Sequence, residues 1–391
     1  MVDSPPLHDP EFWAGDPYPW FAALRAEDPV HLVDGPAGRF WAVTRHADVL
    51  AMSKDPATFC SGKGVLLTDL TRPMLSTDSI LYLDPPKHSK HRKLVSPSLS
   101  VRRVAELEDR IQAIVTELLD AMPTGEPVNV VDALAAPLPL MVIAELVGVP
   151  RSDLEDFRRW SDAIIEAASE FTDEAMQLAA ELFGYIDAIV QDRHKLAKDD
   201  LVSVLAHGMV DGEAVSDLDI NMFVLSLLVA GNETTRTLIS NGLLALHAHP
   251  DQRALLAADR AAIPDGVEEL LRWEAPIMSF SRTATRNTEL SGTAIAEGDY
   301  LVMLYQSANR DEAAFGPTAD QLDVTRSPNP HTSFGYAEHY CLGAGLARLE
   351  ARLLFEGVLA RWPSFEVAGD VVRQPSRLVR GITDLPLVLQ P

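Results

Sequence analysis

Apolar side chains recur every three or four residues through most of the 391-residue chain. In the stretch 104–122, for example, Leu107, Ile111, Ile114 and Leu118 would share one face of a helix. The same spacing predicts helices at about 134–146, 154–168, 173–196, 263–273 and 342–362. The longest predicted helix covers about 216–247, and Ser216 is a plausible N-cap for it. The chain is therefore expected to be mainly helical.

Strand-like alternation is confined to three short regions, at about 28–45, 283–305 and 385–389. The first region suggests a hairpin around Asp34-Gly35-Pro36, and Gly292 and Gly298 mark turns in the second. No repeat or low-complexity linker divides the sequence. We therefore predict one compact domain over 1–391, mainly α with a small β-rich region.

Charge and cysteine content narrow the class of protein. The formal net charge of -24 disfavours nucleic-acid phosphates as partners. Two cysteines make no disulfide framework, and the N-terminus lacks a signal-peptide pattern, so a cytoplasmic protein is expected. The longest apolar run, 222–231, is too short to span a membrane.

The segment from Phe334 to Gly343 contains the most informative chemistry. Cys341 directly precedes a predicted amphipathic helix, where the helix dipole and free N–H groups favour a thiolate. Gly335 suits a tight turn, and Gly343 would let the backbone pass close beneath a flat ligand. A single cysteine is more often a small buried apolar residue, and Cys60 keeps that interpretation.

Polar residues also interrupt the apolar centre of the longest helix. Gly231, Glu233 and Thr234 follow Ala230 there, and glycine inside a helix costs about 1 kcal/mol relative to alanine. A threonine can bond back to a carbonyl one turn earlier, so a purely structural role remains open. A functional role is the alternative.

Together these segments resemble the cytochrome P450 superfamily, of the soluble bacterial type. The family's haem loop is matched at Phe334, Gly335, His339, Cys341 and Gly343. The resemblance fails at Ala337, where the family usually has glycine; a positive φ there would cost about 1 kcal/mol. Glu269 and Arg272 match the family's Glu-x-x-Arg pair, which Arg326 would join in a buried triad.

The resemblance implies the site. Cys341 would be the thiolate ligand of the iron of haem b, in a loop shaped by Phe334, Gly335 and Gly343. Ala230 and Gly231 would make room for O2, while Thr234 and Glu233 would be the catalytic pair that delivers protons. The haem carboxylates would be bound by His88, Arg92, Arg282 and His339. His91 and His331 are interpreted as structural.

The implied reaction is monooxygenation: one oxygen atom of O2 enters a C–H bond of a hydrophobic small molecule. The residues at 230–236 are similar to the corresponding segment of family members that act on steroids, terpenoids and branched lipids. Flavin and nicotinamide motifs are not visible, so a ferredoxin and its reductase are the expected electron donors, and the chain is expected to be a monomer. A local basic surface for the ferredoxin is one hypothesis, comprising Arg92, Lys93, Arg102, Arg103, Arg348 and Arg352.

By resemblance, the substrate would face 64–81, the region around 171–183, Val229 and Ala230, 277–280 and 380–382. Three alternatives remain open. The first is a hydroxylase that tailors secondary metabolites. The second is a peroxide-driven enzyme, and the third is a non-catalytic haem-binding sensor.

Overall fold

A computed structural model describes residues 5–35, 38–71, 79–169, 173–210 and 212–391. It is mainly helical, with the fold class predicted above. The helices are α1 (Pro10–Ala14), α2 (Tyr18–Glu27), α3 (His46–Lys54), α4 (Lys87–Val95), α5 (Val101–Glu106), α6 (Glu108–Asp120), α7 (Pro137–Val147), α8 (Leu154–Ser169), α9 (Asp173–Lys195), α10 (Leu201–Ala206), α11 (Asp217–Ala248), α12 (Pro250–Ala258), α13 (Ile263–Glu274), α14 (Tyr305–Ala308), α15 (Glu312–Phe315) and α16 (Ala344–Arg361).

The strands are short and form several small sheets. They are β1 (Val30–Gly35), β2 (Gly38–Val43), β3 (Phe59–Cys60), β4 (Pro127–Asn129), β5 (Met209–Val210), β6 (Glu213–Ala214), β7 (Ser279–Ala284), β8 (Thr288–Leu290), β9 (Thr293–Ile295), β10 (Tyr300–Leu304), β11 (Ser364–Val367), β12 (Val372–Arg373), β13 (Ile382–Asp384) and β14 (Pro386–Gln390). The largest sheet has the order β1-β2-β10-β7-β3, and β14 pairs with β11 and β4 in a second sheet.

Helix α11 forms the centre of the molecule, as predicted. Its N-cap is Ser216, whose hydroxyl oxygen accepts a hydrogen bond from the backbone N–H of Asp219 at 3.1 Å. The helix contacts α7, α9, α13 and α16, and its buried side chains include Val224, Leu228 and Leu243. The middle of α11 is therefore fixed by the surrounding core.

Several predicted boundaries were wrong, with local causes. The stretch 104–122 divides into α5 and α6 at Leu107. There the backbone N–H of Leu107 bonds to the carbonyl of Val104, three residues earlier, instead of four. Before α7 the chain forms one π-helical turn, Val131–Ala135, because Pro137 has no N–H and begins a new helix instead. The strand predicted from residue 283 begins at Ser279 and ends at Ala284.

The β1–β2 hairpin was predicted, but part of its turn, 36–37, lies outside the described residues, as do 72–78 and 170–172 of the expected substrate segments. Within the described ranges, none of the helices combines the length and apolar character that a membrane span requires.

Candidate active site

The loop before α16 is closed by its own backbone. The N–H of Cys341 donates to the carbonyl oxygen of Phe334 at 2.8 Å, and that of Gly335 donates to Thr332 at 2.8 Å. Gly335 has φ +67°, a value that glycine adopts without strain. These bonds hold Cys341 at a fixed place, three residues before the first residue of α16.

Ala337 does adopt a positive φ, of 55°. Its carbonyl oxygen accepts a hydrogen bond from the N–H of Tyr340 at 3.1 Å, so the conformation is part of the loop closure. The left-handed region costs a residue with a Cβ about 1 kcal/mol. The loop therefore keeps its shape despite the alanine, because the surrounding bonds compensate for the local strain.

The Cys341 side chain is exposed, although its neighbours Phe334, Ala344 and Leu346 are buried. Burial nevertheless raises the pKa of the thiol, since protein atoms surround it on most sides. The backbone N–H of Gly343 and the charges of Arg92 and Arg348 act in the opposite direction, toward the thiolate. The exposed sulfur thus lies in the field of two arginines, which favour its ionised form.

Cationic and donor groups converge next to this loop. The rings of His88 and His339 lie 4.2 Å apart, and Nε2 of His339 is 3.1 Å from the hydroxyl oxygen of Ser61. Burial, together with the charges of Arg282, His88 and Arg92, lowers the pKa of His339 to about 2. Burial also lowers the pKa of Arg282, whose Nη1 donates to the carbonyl of Ser281 at 2.7 Å.

This donor set fits a haem. Two cationic guanidinium groups and two imidazoles share a largely buried region, where positive charge is unfavourable unless an anion compensates it. Two carboxylates would supply that compensation, and the open sulfur of Cys341 would supply the iron ligand. His88, Arg92, Arg282 and His339 could therefore hold the haem carboxylates.

The centre of α11 is unusually open. Val229 is 37% exposed and Ala230 is also exposed, whereas Leu228 is buried. The hydroxyl of Thr234 donates to the carbonyl of Ala230 at 2.6 Å, so the back-bonding anticipated from the sequence is present. Gly231 has a packing role that the sequence did not indicate, since a Cβ there would lie 3.1 Å from Cδ1 of Ile143 on α7.

Glu233 is buried on α11 and lies beside the C-terminal segment. Its Oε2 is 3.5 Å from Nη1 of Arg236, and its Oε1 is 3.2 Å from the position that a Cβ on Gly381 would occupy. A buried carboxylate next to a guanidinium group can stay ionised and can exchange protons with its neighbours. Glu233 and Thr234 are adjacent, but their observed partners differ.

The predicted triad is present and buried. Glu269 forms a bidentate pair with Arg272, with both N···O distances 2.7 Å, and Arg326 approaches the same carboxylate at 3.2 Å. Arg272 also donates to the backbone carbonyls of Asn309 and Ala319. The triad thus ties α13 to the segment that leads into the haem loop.

Other parts of the site were missed. Glu338 accepts hydrogen bonds from Nδ1 of His88 at 3.0 Å and from the hydroxyl of Ser89 at 2.6 Å. Asp84 accepts from the backbone N–H groups of Ser61 and Gly62. Glu338 lies inside the recognised loop, but nothing in its position signalled a partner 250 residues earlier.

The basic surface hypothesised for a ferredoxin is largely neutralised by acids of the same chain. Arg103 pairs with Glu106 and Asp199 at 2.7 and 2.6 Å. Arg352 pairs with Glu108 at 2.6 Å. The structure therefore gives this surface less net positive charge than the arginines alone suggested.

Comparison with known proteins agrees with this geometry. The family model for cytochrome P450 matches residues 143–380. A vitamin D(3) 25-hydroxylase of Pseudonocardia autotrophica is 38% identical, with 97% of this chain and 95% of the relative covered. A methyl-branched lipid omega-hydroxylase of Mycobacterium tuberculosis is 36% identical, with 94% of this chain and 90% of the relative covered. The solved structure of a Mycobacterium marinum cytochrome P450 in complex with pseudoionone has a TM-score of 0.88 at 36% identity, covering 97% of each chain.

An open cysteine before a helix, a cationic cluster beside it and a long helix across the centre define a haem-thiolate protein. The chain belongs to the cytochrome P450 family. It is accordingly a monooxygenase that uses a haem-thiolate iron, O2 and redox partners.

Proposed function

We propose that this monooxygenase hydroxylates a largely apolar molecule of the steroid, terpenoid or branched-lipid kind. The observation that carries the proposal is the open, apolar centre of α11, where Val229 and Ala230 are exposed beside Thr234. Pockets of this character select for apolar surface and use few polar anchors. The relatives named for vitamin D(3) and methyl-branched lipids support the same substrate class.

The cofactor is proposed to be haem b, ligated by Cys341. Phe334, Gly335 and Gly343 would keep the loop close to the porphyrin. The carboxylates would be bound by the four cationic and donor side chains described above. When bound, the haem supplies O2 activation, which no amino-acid side chain can provide.

Thr234 and Glu233 are proposed to manage protons on the opposite side of the site from Cys341. The Thr234 hydroxyl donates to the carbonyl of Ala230, and it would rotate away from that carbonyl to donate to another acceptor at the centre of α11. The Glu233 carboxylate, whose Oε2 lies 3.5 Å from Nη1 of Arg236, is proposed to pass protons to that hydroxyl. Ala230 and Gly231 are proposed to leave room for O2 beside them.

A ferredoxin with its reductase is proposed as the electron source. The arginines at the surface near Cys341 would contribute to its docking, although several are already ion-paired. Reversing the charges of Arg102 and Arg103 should then slow ferredoxin reduction and change its salt dependence. An unchanged rate would remove this surface from consideration. The domain bounds 1–391, the cytoplasmic location and the monomeric state stay predictions.

A tailoring hydroxylase of secondary metabolites is the alternative within the same class. A non-catalytic haem sensor is the alternative of another class, and the buried Glu233 beside Thr234 argues against it. A sensor needs the cysteine but has no use for a proton-handling acid and alcohol.

The test has two parts. The reduced protein with carbon monoxide should give the Soret band typical of thiolate ligation, and Cys341→Ser should abolish it while Cys60→Ser should not. Titration with vitamin D(3), a methyl-branched fatty acid and pseudoionone should then shift the haem spin state for at least one of them. A wild-type protein without the thiolate band would contradict the proposal.

A further inference from the structure

Two consecutive glutamates of α13, Glu268 and Glu269, form ion pairs with different arginines. Glu269 belongs to the buried triad described above, whereas Glu268 turns toward the Cys341 loop. Its Oε1 accepts from Nε of Arg348 at 2.6 Å, and its Oε2 accepts from Nη2 of the same arginine at 2.8 Å. This bidentate geometry fixes the plane of the guanidinium group.

Arg348 contacts the loop at two places. Its Nη1 donates to the hydroxyl of Tyr340 at 3.0 Å, and its guanidinium lies 4.5 Å from the ring centroid of Phe334. Phe334 accepts the backbone hydrogen bond from Cys341, and Tyr340 directly precedes Cys341. One side chain therefore braces the loop at two positions that precede the cysteine, its first residue and the residue next to Cys341.

A third group completes the arrangement. Nε2 of His331 lies 3.1 Å from the Glu268 carboxylate, and its Nδ1 accepts from the backbone N–H of Ser333 at 3.2 Å. The hydrogen bonds and charges of Arg348 and His331 outweigh the effect of burial and lower the pKa of Glu268 to about 2. The carboxylate is therefore ionised at neutral pH and keeps Arg348 in place.

We propose that Glu268 and Arg348 are positioning residues for the iron ligand: together they brace the Cys341 loop and hold a fixed positive charge beside its sulfur. This inference rests on the proposed ligation by Cys341. A positive charge near the thiolate stabilises the reduced, more negative state of the iron site. The pair would thereby influence how stable the bond between iron and the Cys341 sulfur is, and it would also influence the midpoint potential of the iron.

The chain offers a matched control on the same helix. Arg352, one turn after Arg348, is also ion-paired, but with Glu108 and Glu356. We would compare Arg348→Gln, Arg348→Lys, Glu268→Gln and Arg352→Gln as holoenzymes. The measurements are the midpoint potential by spectroelectrochemistry and the fraction of the reduced carbon monoxide complex that loses the thiolate Soret band.

Arg348→Gln should shift the midpoint potential in the negative direction, because a positive charge is removed. Glu268→Gln should shift it in the positive direction, because the charge that screens Arg348 is removed. Arg348→Lys keeps the positive charge but cannot form the bidentate pair with Glu268. The midpoint potential should therefore change little, while the thiolate band should be lost more readily. Arg352→Gln should resemble wild type in both measurements.

Equal potentials for Arg348→Gln and Arg352→Gln, or shifts of one sign for Arg348→Gln and Glu268→Gln, would overturn the inference. Should the Arg348 variants fail to fold, Tyr340→Phe removes only the hydroxyl contact and should still increase loss of the thiolate band. If Tyr340→Phe loses the thiolate band no more readily than the wild-type protein, the proposal that Arg348 braces the loop is contradicted. Failure of the proposed ligation is distinguishable, because it would already appear in the wild-type spectrum.

Discussion

The two sides of the proposed haem site are built differently. On the Cys341 side, the loop is connected by backbone bonds, by Arg348 and by Arg92, whose Nη2 donates to the carbonyl of Tyr340 at 2.5 Å. On the α11 side, Val229 and Ala230 are exposed, and among the described residues the Thr234 hydroxyl bonds only within its own helix. The Cys341 loop, here called the ligand side, is thus held by backbone and side-chain bonds, whereas the exposed part of α11 offers mainly apolar surface. Substitutions on the first side should cost stability, and those on the second should cost chemistry.

The largest expected effect on stability belongs to Glu269→Gln. The substitution leaves Arg272 and Arg326 in a buried region without their carboxylate, so the free energy of unfolding should fall by about 3–5 kcal/mol. Denaturant unfolding would measure it. Glu145→Gln, which breaks the exposed pair with Arg110, is the control and should cost less than about 1 kcal/mol. Similar losses for both variants would show that the buried triad contributes no more to stability than an exposed ion pair.

Glu350 provides a pH-dependent test on the ligand side. It is buried on α16, its Oε2 has no hydrogen-bond partner within the described residues, and burial raises its pKa to about 8. Its usual pKa is 4.5, so the folded state binds more protons than the unfolded state between these values. Its contribution to stability is complete below pH 4.5 and is lost as pH rises toward about 8.

Glu350→Gln should remove this dependence. Between pH 5 and pH 8 the wild-type protein should lose stability relative to the variant, by up to about 1.4 kcal/mol per pH unit. Unfolding curves of both proteins across that interval would measure the difference. Parallel pH profiles would show that Glu350 is not protonated in the folded protein.

A smaller effect is expected at Ala337. Glycine relieves the cost of φ +55°, but it also gives the unfolded chain more freedom, so Ala337→Gly should stabilise by about 0.5–1 kcal/mol. The matched change inside α16, Ala351→Gly, should destabilise the protein by at least about 1 kcal/mol, because it adds a helix-breaking glycine and also removes a buried methyl group. Thermal unfolding of the two holoenzymes would compare them, and a change of the same sign in both would contradict the strain argument.

The smallest effect on stability is expected at Thr234. Thr234→Ala removes one hydrogen bond within α11 and introduces a better helix former, so stability should change by less than about 0.5 kcal/mol. Turnover should nevertheless suffer, with reducing equivalents diverted to hydrogen peroxide. The ratio of peroxide formed to reductant consumed would measure this. A loss of stability with no increase in hydrogen peroxide would show that Thr234 has a structural role instead.

The sequence was most informative where a site lies within one short segment. Phe334, Gly335, Cys341 and Gly343 follow one another closely, so their pattern could be recognised without knowing the fold. Glu269 and Arg272 are one helical turn apart, and the structure confirms their pairing. Where a boundary depended on a single proline or turn, as at Leu107 and Pro137, apolar spacing alone placed it incorrectly.

Long-range partners could not be predicted in this way. Glu338 meets His88 and Ser89, and Ser61 meets His339, because different elements are brought together in the core. Glu338, Ser89 and Ser61 look like ordinary polar residues in the sequence, and nothing near His88 or His339 in the chain indicates these partners.

The sequence by itself determined the helical fold class, the cysteine loop and the central helix, because periodic apolar residues and contiguous motifs act over a few residues. The tertiary structure alone decided the pairs that join distant segments outside the Glu269 triad, such as Glu338 with His88 and Glu268 with Arg348. Adjacent carboxylates such as Glu268 and Glu269 have the same local surroundings in the chain, yet they point toward different neighbours once α13 is packed. Their separate roles follow from packing in three dimensions, which short-range sequence patterns do not encode.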